Sequence, residues 1–431
     1  MISKTLKNNL NLPLDSIPKG WKITQIKRVC KKITDGAHTS PDRSSEDFPF
    51  LSVVNLNDGV LDFKNCLYTS KTDFESLVRN GCRPPKKSVL FSKDGTIGET
   101  VVIDEKRDFV VASSFIIVVP DLKLISPKFL KYFLSSSTNR KLARASVKGT
   151  GLPRLSIFNF SLLWMAIPSL PEQFQIARYL DEKTAAIDRK IELLEQKEKR
   201  YRHLLRSLIN ETICKGLDKS IRLKDSGITW VGEVPEHWEV KRGKDIFIEK
   251  SRKGHGDKPL LAASQKKGVV LKSLLDQRSM EAQKDFGNFK LVKVNDFVIS
   301  LRSFEGGFEI AYYEGIISPA YTVFSLKDEL FPTYFQHLFK TEQFVRFLQS
   351  LISGIRDGQT IRYTEVQKAF FPIPDNTEQK GIAQYLDDKS EKINSIIHNI
   401  AQQIYKLKAL RKSLINEVVT GQRRVTKQLP S

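Results

Sequence analysis

The stretch from Glu172 to Glu211 contains neither glycine nor proline and is filled with good helix formers. Leu180, Ile187, Leu194, Tyr201 and Leu208 recur at every seventh position, and a patchier second line runs Ala177, Ile191, Leu205. This is the a/d pattern of a coiled coil, and at 1.5 Å per residue it predicts a rod of roughly 60 Å. The chain writes the rod twice. Glu378 to Glu417 aligns with the first copy without a gap, its heptad line is Leu386, Ile393, Ile400, Leu407, Leu414, and both copies close on Ser-Leu-Ile-Asn-Glu. Two equal rods with one apolar seam each predict seam-to-seam packing.

The rest of the chain repeats as well. Pro18-Lys-Gly-Trp21 returns as Pro235-Glu-His-Trp238, Gly149 to Arg154 is answered by Gly354 to Arg362, and Ile167-Pro168 by Ile373-Pro374. Phe297–Ile310 lies ungapped over Ser88–Val101, which sets Arg302 over Lys93 and Gly307 over Gly98. Short β-like runs with turn signals (Phe50–Asn55, Ser88–Phe91, Thr100–Ile103, Phe109–Val119) and two helical segments, Pro127–Leu134 and Thr138–Ala145, make the first globule mixed α/β. The organisation read from this is an N-terminal leader, 1–16; a globule, 17–170; a central helix, 171–217; a linker and second globule, 218–376; a distal helix, 377–422; and a basic tail, 423–431. This is a whole-domain duplication, not a short solenoid repeat. The rods match closely, whereas the globules share a scaffold and differ in the stretches between.

A length of 431 residues, 40% of them hydrophobic and 28% charged, suits a globular protein of about three domains. The net charge of +21 lies mostly outside the rods and points to a polyanionic partner. Cys30, Cys66, Cys82 and Cys214 show no paired spacing, which suits a reduced, cytoplasmic protein. There is no apolar run of transmembrane length and no signal-peptide core. Catalytic signatures are missing too: no phosphate-binding GxxxxGK[ST] loop, no HExxH, and no adenine-methyltransferase motif. Gly149-Thr-Gly151 lacks the third glycine of a dinucleotide loop. Pro374-Asp375…Glu378-Gln-Lys380 spells a nuclease motif but straddles a helix start, where Asp375 or Thr377 reads better as an N-cap. The histidines are scattered, so no metal site is expected.

Basic, glycine-flanked loops carry the binding signal. In the first globule the candidates are His38, Arg43, Lys93, Thr96, Lys148, Thr150 and Arg154. In the second they are Arg252, Lys253, His255, Lys266, Lys267, Arg302, Ser303, Arg356, Gln359 and Arg362. Such loops bring cations and backbone N–H groups to phosphates, and Arg, Gln and Ser reach base edges in the major groove. Each loop taken alone also reads as a solvated turn.

The run Gly227-Ile-Thr-Trp-Val-Gly-Glu-Val-Pro235 into Pro235-Glu-His-Trp-Glu-Val240, together with Ser300-Leu-Arg-Ser-Phe-Glu-Gly-Gly307 and the two rods with their proline-rich entries, resembles the specificity subunit of type I restriction-modification systems over nearly the whole chain. The resemblance implies mixed α+β target-recognition domains and two long antiparallel coiled-coil helices, a tandem duplication with pseudo-two-fold symmetry. It implies a non-catalytic subunit in which each globule reads one half of an asymmetric, bipartite DNA target. The helices set the gap and dock two modification subunits that methylate adenine N6. Restriction subunits would join the same assembly. No cofactor is expected on this chain; S-adenosylmethionine, ATP and Mg belong to the partners. The alternative is a coiled-coil scaffold whose DNA contact is incidental.

Overall fold

Val89–Phe91 and Phe115–Val118 are apolar at every position, so they cannot be strands with one wet face. In the computed structural model they are the central strands of a sheet buried on both sides. The structure describes residues 17–39, 47–57, 59–104, 107–146, 154–275, 286–300, 302–327, 329–352 and 361–425. The chain divides into two units, one of Met1–Leu194 with Gln402–Ser431 and one of Glu195–Ala401.

Unit 1 contains β1 (Lys22–Gln25), β2 (Cys30–Asp35), β3 (Phe48–Leu51), β4 (Leu56–Asn57), β5 (Val60–Leu61), β6 (Leu67–Thr69), β7 (Val89–Ser92), β8 (Thr100–Val102), β9 (Val110–Val111), β10 (Phe115–Pro120) and β11 (Trp164–Ile167). Its helices are α1 (Lys71–Arg79), α2 (Pro127–Ser135), α3 (Ser137–Ala145) and α4 (Ile157–Ser161), followed by the long α5 (Leu170–Lys215), which continues into unit 2. The main sheet is antiparallel in the order β2-β10-β7-β8. Side chains alternate across it. Val89, Phe91, Ile116 and Val118 join Phe129, Phe133 and Phe160 on the helix side, while Leu90 and Ile117 join Leu51 and Phe109 on the other. The expected strand Phe50–Asn55 stops at Leu51. Ser52 and Asn55 form a capping box there and turn Val53–Asn55 into a 3₁₀ helix. Phe109–Val119 is broken in two, because Ala112–Ser114 turns between β9 and β10.

Unit 2 contains β12 (Leu223–Ile228), β13 (Gly232–Pro235), β14 (Glu239–Arg242), β15 (Phe247–Lys250), β16 (Leu261–Ser264), β17 (Gly268–Leu271), β18 (Lys290–Val292), β19 (Phe297–Ile299), β20 (Glu309–Ile310), β21 (Gly315–Ile317), β22 (Thr322–Leu326) and β23 (Phe370–Ile373). Its helices are α6 (Gly243–Ile246), α7 (Ser303–Gly306), α8 (Pro332–Leu338), α9 (Glu342–Ser350) and α10 (Tyr363–Lys368), before the second long helix, α11 (Asn376–Val419). The sheet order β15-β22-β19-β20 repeats that of unit 1. The duplication is therefore one of topology as well as of sequence. One alignment changes, however. Val89 pairs with Val102 in unit 1 and Phe297 with Ile310 in unit 2, and both Val89 and Phe297 face the helix side. Phe297 thus answers Val89, not Ser88, and Arg302 answers Asp94, not Lys93. A one-residue slip would turn every side chain to the wrong face.

Each unit is closed by the start of one long helix and the end of the other. In unit 1, Ile176 and Leu180 of α5 share a core with Leu414, Ile415, Val418 and Val419 of α11, and Arg411 Nε lies 2.8 Å from Asp188 Oδ1. In unit 2, Leu208, Ile209 and Ile213 meet Ile382, Ala383 and Leu386. Both pairings are antiparallel. Leu180, Leu386, Ile393, Ile400 and Leu414 are buried, and Ile187, Leu194, Tyr201, Leu208 and Leu407 are half-buried. The patchy second line of α5 is completed by Thr184, which is buried and bonds back to the Leu180 carbonyl, and by half-buried Glu198.

Polar fasteners, written once per unit, fix globule to helix. Trp21 Nε1 donates to Glu172 (3.0 Å), and Trp238 Nε1 to Glu378 (2.9 Å). Gln173 is fully buried; its Oε1 accepts from Ser126 N (2.8 Å) and its Nε2 donates to the Leu124 and Pro168 carbonyls (3.0 Å each). Gln379 does the same with Phe331 N and Pro374 O (2.9 Å each). Asn416 Oδ1 accepts from Thr138 N (2.9 Å) at the start of α3, and Asn210 Oδ1 from Glu342 N (3.1 Å) at the start of α9, so each supplies a partner for an orphan helix N–H. The long helices end at Gly216 (φ +71°) and Gly421 (φ +79°), a left-handed conformation that favours glycine. A Cβ on Gly421 would also sit 2.3 Å from Pro18.

Candidate nucleic-acid interface

The loops singled out in the first globule converge at one rim of the unit 1 sheet, where β2 and β7 finish and β10 begins. Gly36 makes this possible: a Cβ there would lie 2.0 Å from the Val111 carbonyl. Ala37 N then reaches Val111 O (2.8 Å) and Ser113 N reaches Ala37 O (2.7 Å), which joins the end of β2 to the turn before β10. Lys93 N bonds Ser114 O and Leu155 N bonds Lys93 O, bringing in the β7–β8 loop and the segment ahead of α4. Asp94 holds Arg154 in a two-point pair (Nε–Oδ1 3.0 Å, Nη2–Oδ2 3.2 Å), and Arg154 Nη2 also reaches Ser113 Oγ (3.3 Å).

Lys93 does not present its charge. It is 4% exposed, and its Nζ lies 2.5 Å from Asp35 Oδ2, an atom that also sits 3.1 Å from His38 Nε2. Its expected role as a phosphate contact is therefore corrected: the ammonium is consumed inside the unit, and its supposed repeat with Arg302 was a register error. His38, Thr96 and Arg154 are exposed around this rim. Arg43, Lys148 and Thr150 lie outside the described residues.

In unit 2 the β16–β17 turn meets the loop after β19. Gln265 Nε2 donates to Glu305 Oε2 (3.0 Å) and lies 3.4 Å from the Arg302 carbonyl. Lys253, Lys266, Lys267, Arg302 and Arg362 are exposed and form no ion pair with any described residue. Ser303 is corrected from a contact residue to a structural one. It is 1% exposed, and its Oγ accepts from Ser300 N at 2.7 Å, closing the turn that starts α7. Arg252 and His255 are half-buried. Arg252 Nη1 is buried without a hydrogen-bond partner among the described residues, near Asp296, whose carboxyl is raised by burial against the pull of Arg252, Lys250 and Lys293. Arg356 and Gln359 lie outside the described residues.

The carboxylates that organise these loops, Asp35, Asp94 and Glu305, escape a search that counts cations alone. The signal for Asp94 was its place directly after Lys93. Asp375, from the nuclease-like string, accepts from Glu378 N (2.8 Å) at the start of α11 and is an N-cap. Among the described residues no group of three His, Cys, Asp or Glu side chains is placed to hold a metal ion, and no helix is long and apolar enough to cross a membrane.

Residues 18–200 match the family described as the type I restriction modification DNA specificity domain. The chain is similar to two proteins of Methanocaldococcus jannaschii. One is a putative type I restriction enzyme MjaX specificity subunit, 21% identical, with 96% of each chain covered. The other is the MjaVIII specificity subunit, 24% identical, covering 95% of this chain and 94% of that one. Among solved structures, a chain from a study of type I restriction-modification assembly and conformational transition matches with a TM-score of 0.65 at 14% identity, covering 93% of this chain and 98% of that one. The HsdS subunit of Thermoanaerobacter tengcongensis matches with a TM-score of 0.51, also at 14% identity, covering 94% and 98%. These two likenesses are of fold.

Proposed function

We propose, from the premise that this chain belongs to the specificity subunits of type I restriction-modification systems, that each unit reads one half of an asymmetric, bipartite duplex DNA target. The observation that carries this is a common frame with unlike reading edges. Unit 1 locks Lys93 and Arg154 into carboxylates, while unit 2 leaves Lys253, Lys266, Lys267 and Arg302 without ion pairs among the described residues. Two such edges suit two different base sequences, with exposed cations on phosphates and polar side chains on base edges. The long helices set the gap between half-sites, and their outer faces dock two modification subunits. Those partners carry S-adenosylmethionine and methylate adenine N6 after taking the base out of the stack; restriction subunits carry ATP and Mg. This chain supplies recognition without chemistry or a cofactor of its own, and it acts in the cytoplasm.

The test is a genome-wide map of N6-methyladenine in cells with and without this chain, the modification partner being present in both. Loss of methylation at one gapped, asymmetric motif is expected. Exchanging residues 17–170 for those of a relative should alter one half of that motif. Methylation that ignores the chain would sink the reading and leave a scaffold with incidental DNA binding.

A further inference from the structure

We infer that Lys27, Arg28, Lys31 and Phe158 form a second DNA-contact surface on unit 1, which grips the duplex backbone without reading sequence; this rests on the DNA-recognition reading above. The 3₁₀ turn Ile26–Arg28 buries Ile26 completely and turns Lys27 and Arg28 outward. Lys31 follows on β2, one of the two edge strands of the main sheet, and is also exposed. These three cations form no ion pair with any described residue, unlike Lys93 and Arg154 of the same unit. Helix α4 packs against this turn and against β2, and Ile26 N bonds the Leu163 carbonyl just beyond it (3.0 Å). That helix buries Phe160 and half-buries Ile157, yet leaves Phe158 70% exposed. Phe158 stands four positions after Arg154, on the segment that runs from the reading loops, where Leu155 N bonds Lys93 O, to this turn, where Leu163 O accepts from Ile26 N.

An exposed aromatic beside unpaired cations suits duplex DNA: the cations neutralise phosphates, and the ring makes an apolar contact within the adjoining groove. A protein partner would have to bring carboxylates to the cations and an apolar pocket to Phe158. The continuity with Arg154 and the net charge of +21 favour the polyanion. The surface is not part of the duplicated frame. Gly243 N to Ala369 O (2.8 Å) is the unit 2 counterpart of Ile26 N to Leu163 O. From that anchor, Lys244, Asp245, Ile248 and Thr364 occupy the positions of Lys27, Arg28, Lys31 and Phe158.

The experiment measures duplex affinity of the full chain assembled with its modification partner, by fluorescence anisotropy from 50 to 200 mM salt. It uses a duplex carrying the mapped target and a scrambled duplex. In the Lys27→Gln, Arg28→Gln, Lys31→Gln variant the slope of log affinity against log salt should become shallower by about 2.7, so the loss of affinity across that range shrinks by roughly 40-fold. The change should be equal on both duplexes, with target preference retained. Phe158→Ala should weaken binding roughly tenfold with the slope unchanged. Lys27→Arg with Lys31→Arg should keep the parent slope, which separates charge from folding. A target-preferring parent whose triple variant keeps the full slope would overturn the surface alone. So would an equal loss in a control variant carrying Lys71→Gln, Lys86→Gln and Lys123→Gln. A parent with no preference for the target would overturn the recognition reading and this surface with it.

Discussion

Gln173→Leu tests whether the buried glutamine holds the first globule on its helix. The side chain is fully buried and makes three hydrogen bonds. Leucine fills a similar volume but pairs with none of the three backbone groups. Ser126 N and Pro168 O are left inside the unit, at about 1–3 kcal/mol each; the Leu124 carbonyl borders an exposed residue and can turn to water. The expected loss is therefore about 3 kcal/mol. Gln379→Leu in unit 2 breaks the equivalent bonds to Phe331 N and Pro374 O and should cost a similar amount. Hydrogen–deuterium exchange with peptide resolution is the assay, because the two variants should act in different places. Gln173→Leu should raise exchange in α2 and β11, and Gln379→Leu in α8 and β23. The reasoning is refuted if Gln173→Leu costs under about 1 kcal/mol, or if its added exchange spreads evenly into residues 195–401.

Asn416→Ala should cost about 1 kcal/mol, the worth of a helix N-terminal partner, and should raise exchange in α3; Asn210→Ala should do the same in α9, and exchange unchanged in both would rule out the capping role. Lys93→Met leaves Asp35 without its buried ammonium and should lower stability by about 3 kcal/mol, while the salt dependence of DNA binding stays as in the parent; the reverse pattern would restore Lys93 as a phosphate contact. Burial pushes the Cys30 thiol up to about 12 and Cys214 up to about 11, from an ordinary value of 9.0. Both are protonated at pH 8 and should resist iodoacetamide until their unit opens; prompt native-state alkylation of either would contradict this. The sign follows: the stability gained by burying these thiols neutral is complete below pH 9 and is lost as pH rises from there toward 11 and 12.

The long helices were legible because a coiled-coil seam is a one-dimensional signal: burial recurs every seven residues, whatever the globules do. What that signal could not explain was the repetition of residues off the seam. Glu172 and Glu378 accept from tryptophan indoles, Gln173 and Gln379 bridge buried backbone groups, and Asn210 and Asn416 serve the first turns of α9 and α3. Each of the six has a partner far away in sequence, so no local pattern announces them. The same holds at the reading edge. Lys93 and Arg302 look alike as letters, but strand register decides which side each residue faces, and a carboxylate from β2 decides whether an ammonium is available. Charge in a sequence is an upper bound on charge at a surface. Lys27, Arg28 and Lys31 reach that bound because nothing described pairs with them. Lys93 falls short because folding spends its charge on Asp35, so a count of cations in the sequence overstates what a reading edge can offer to phosphate.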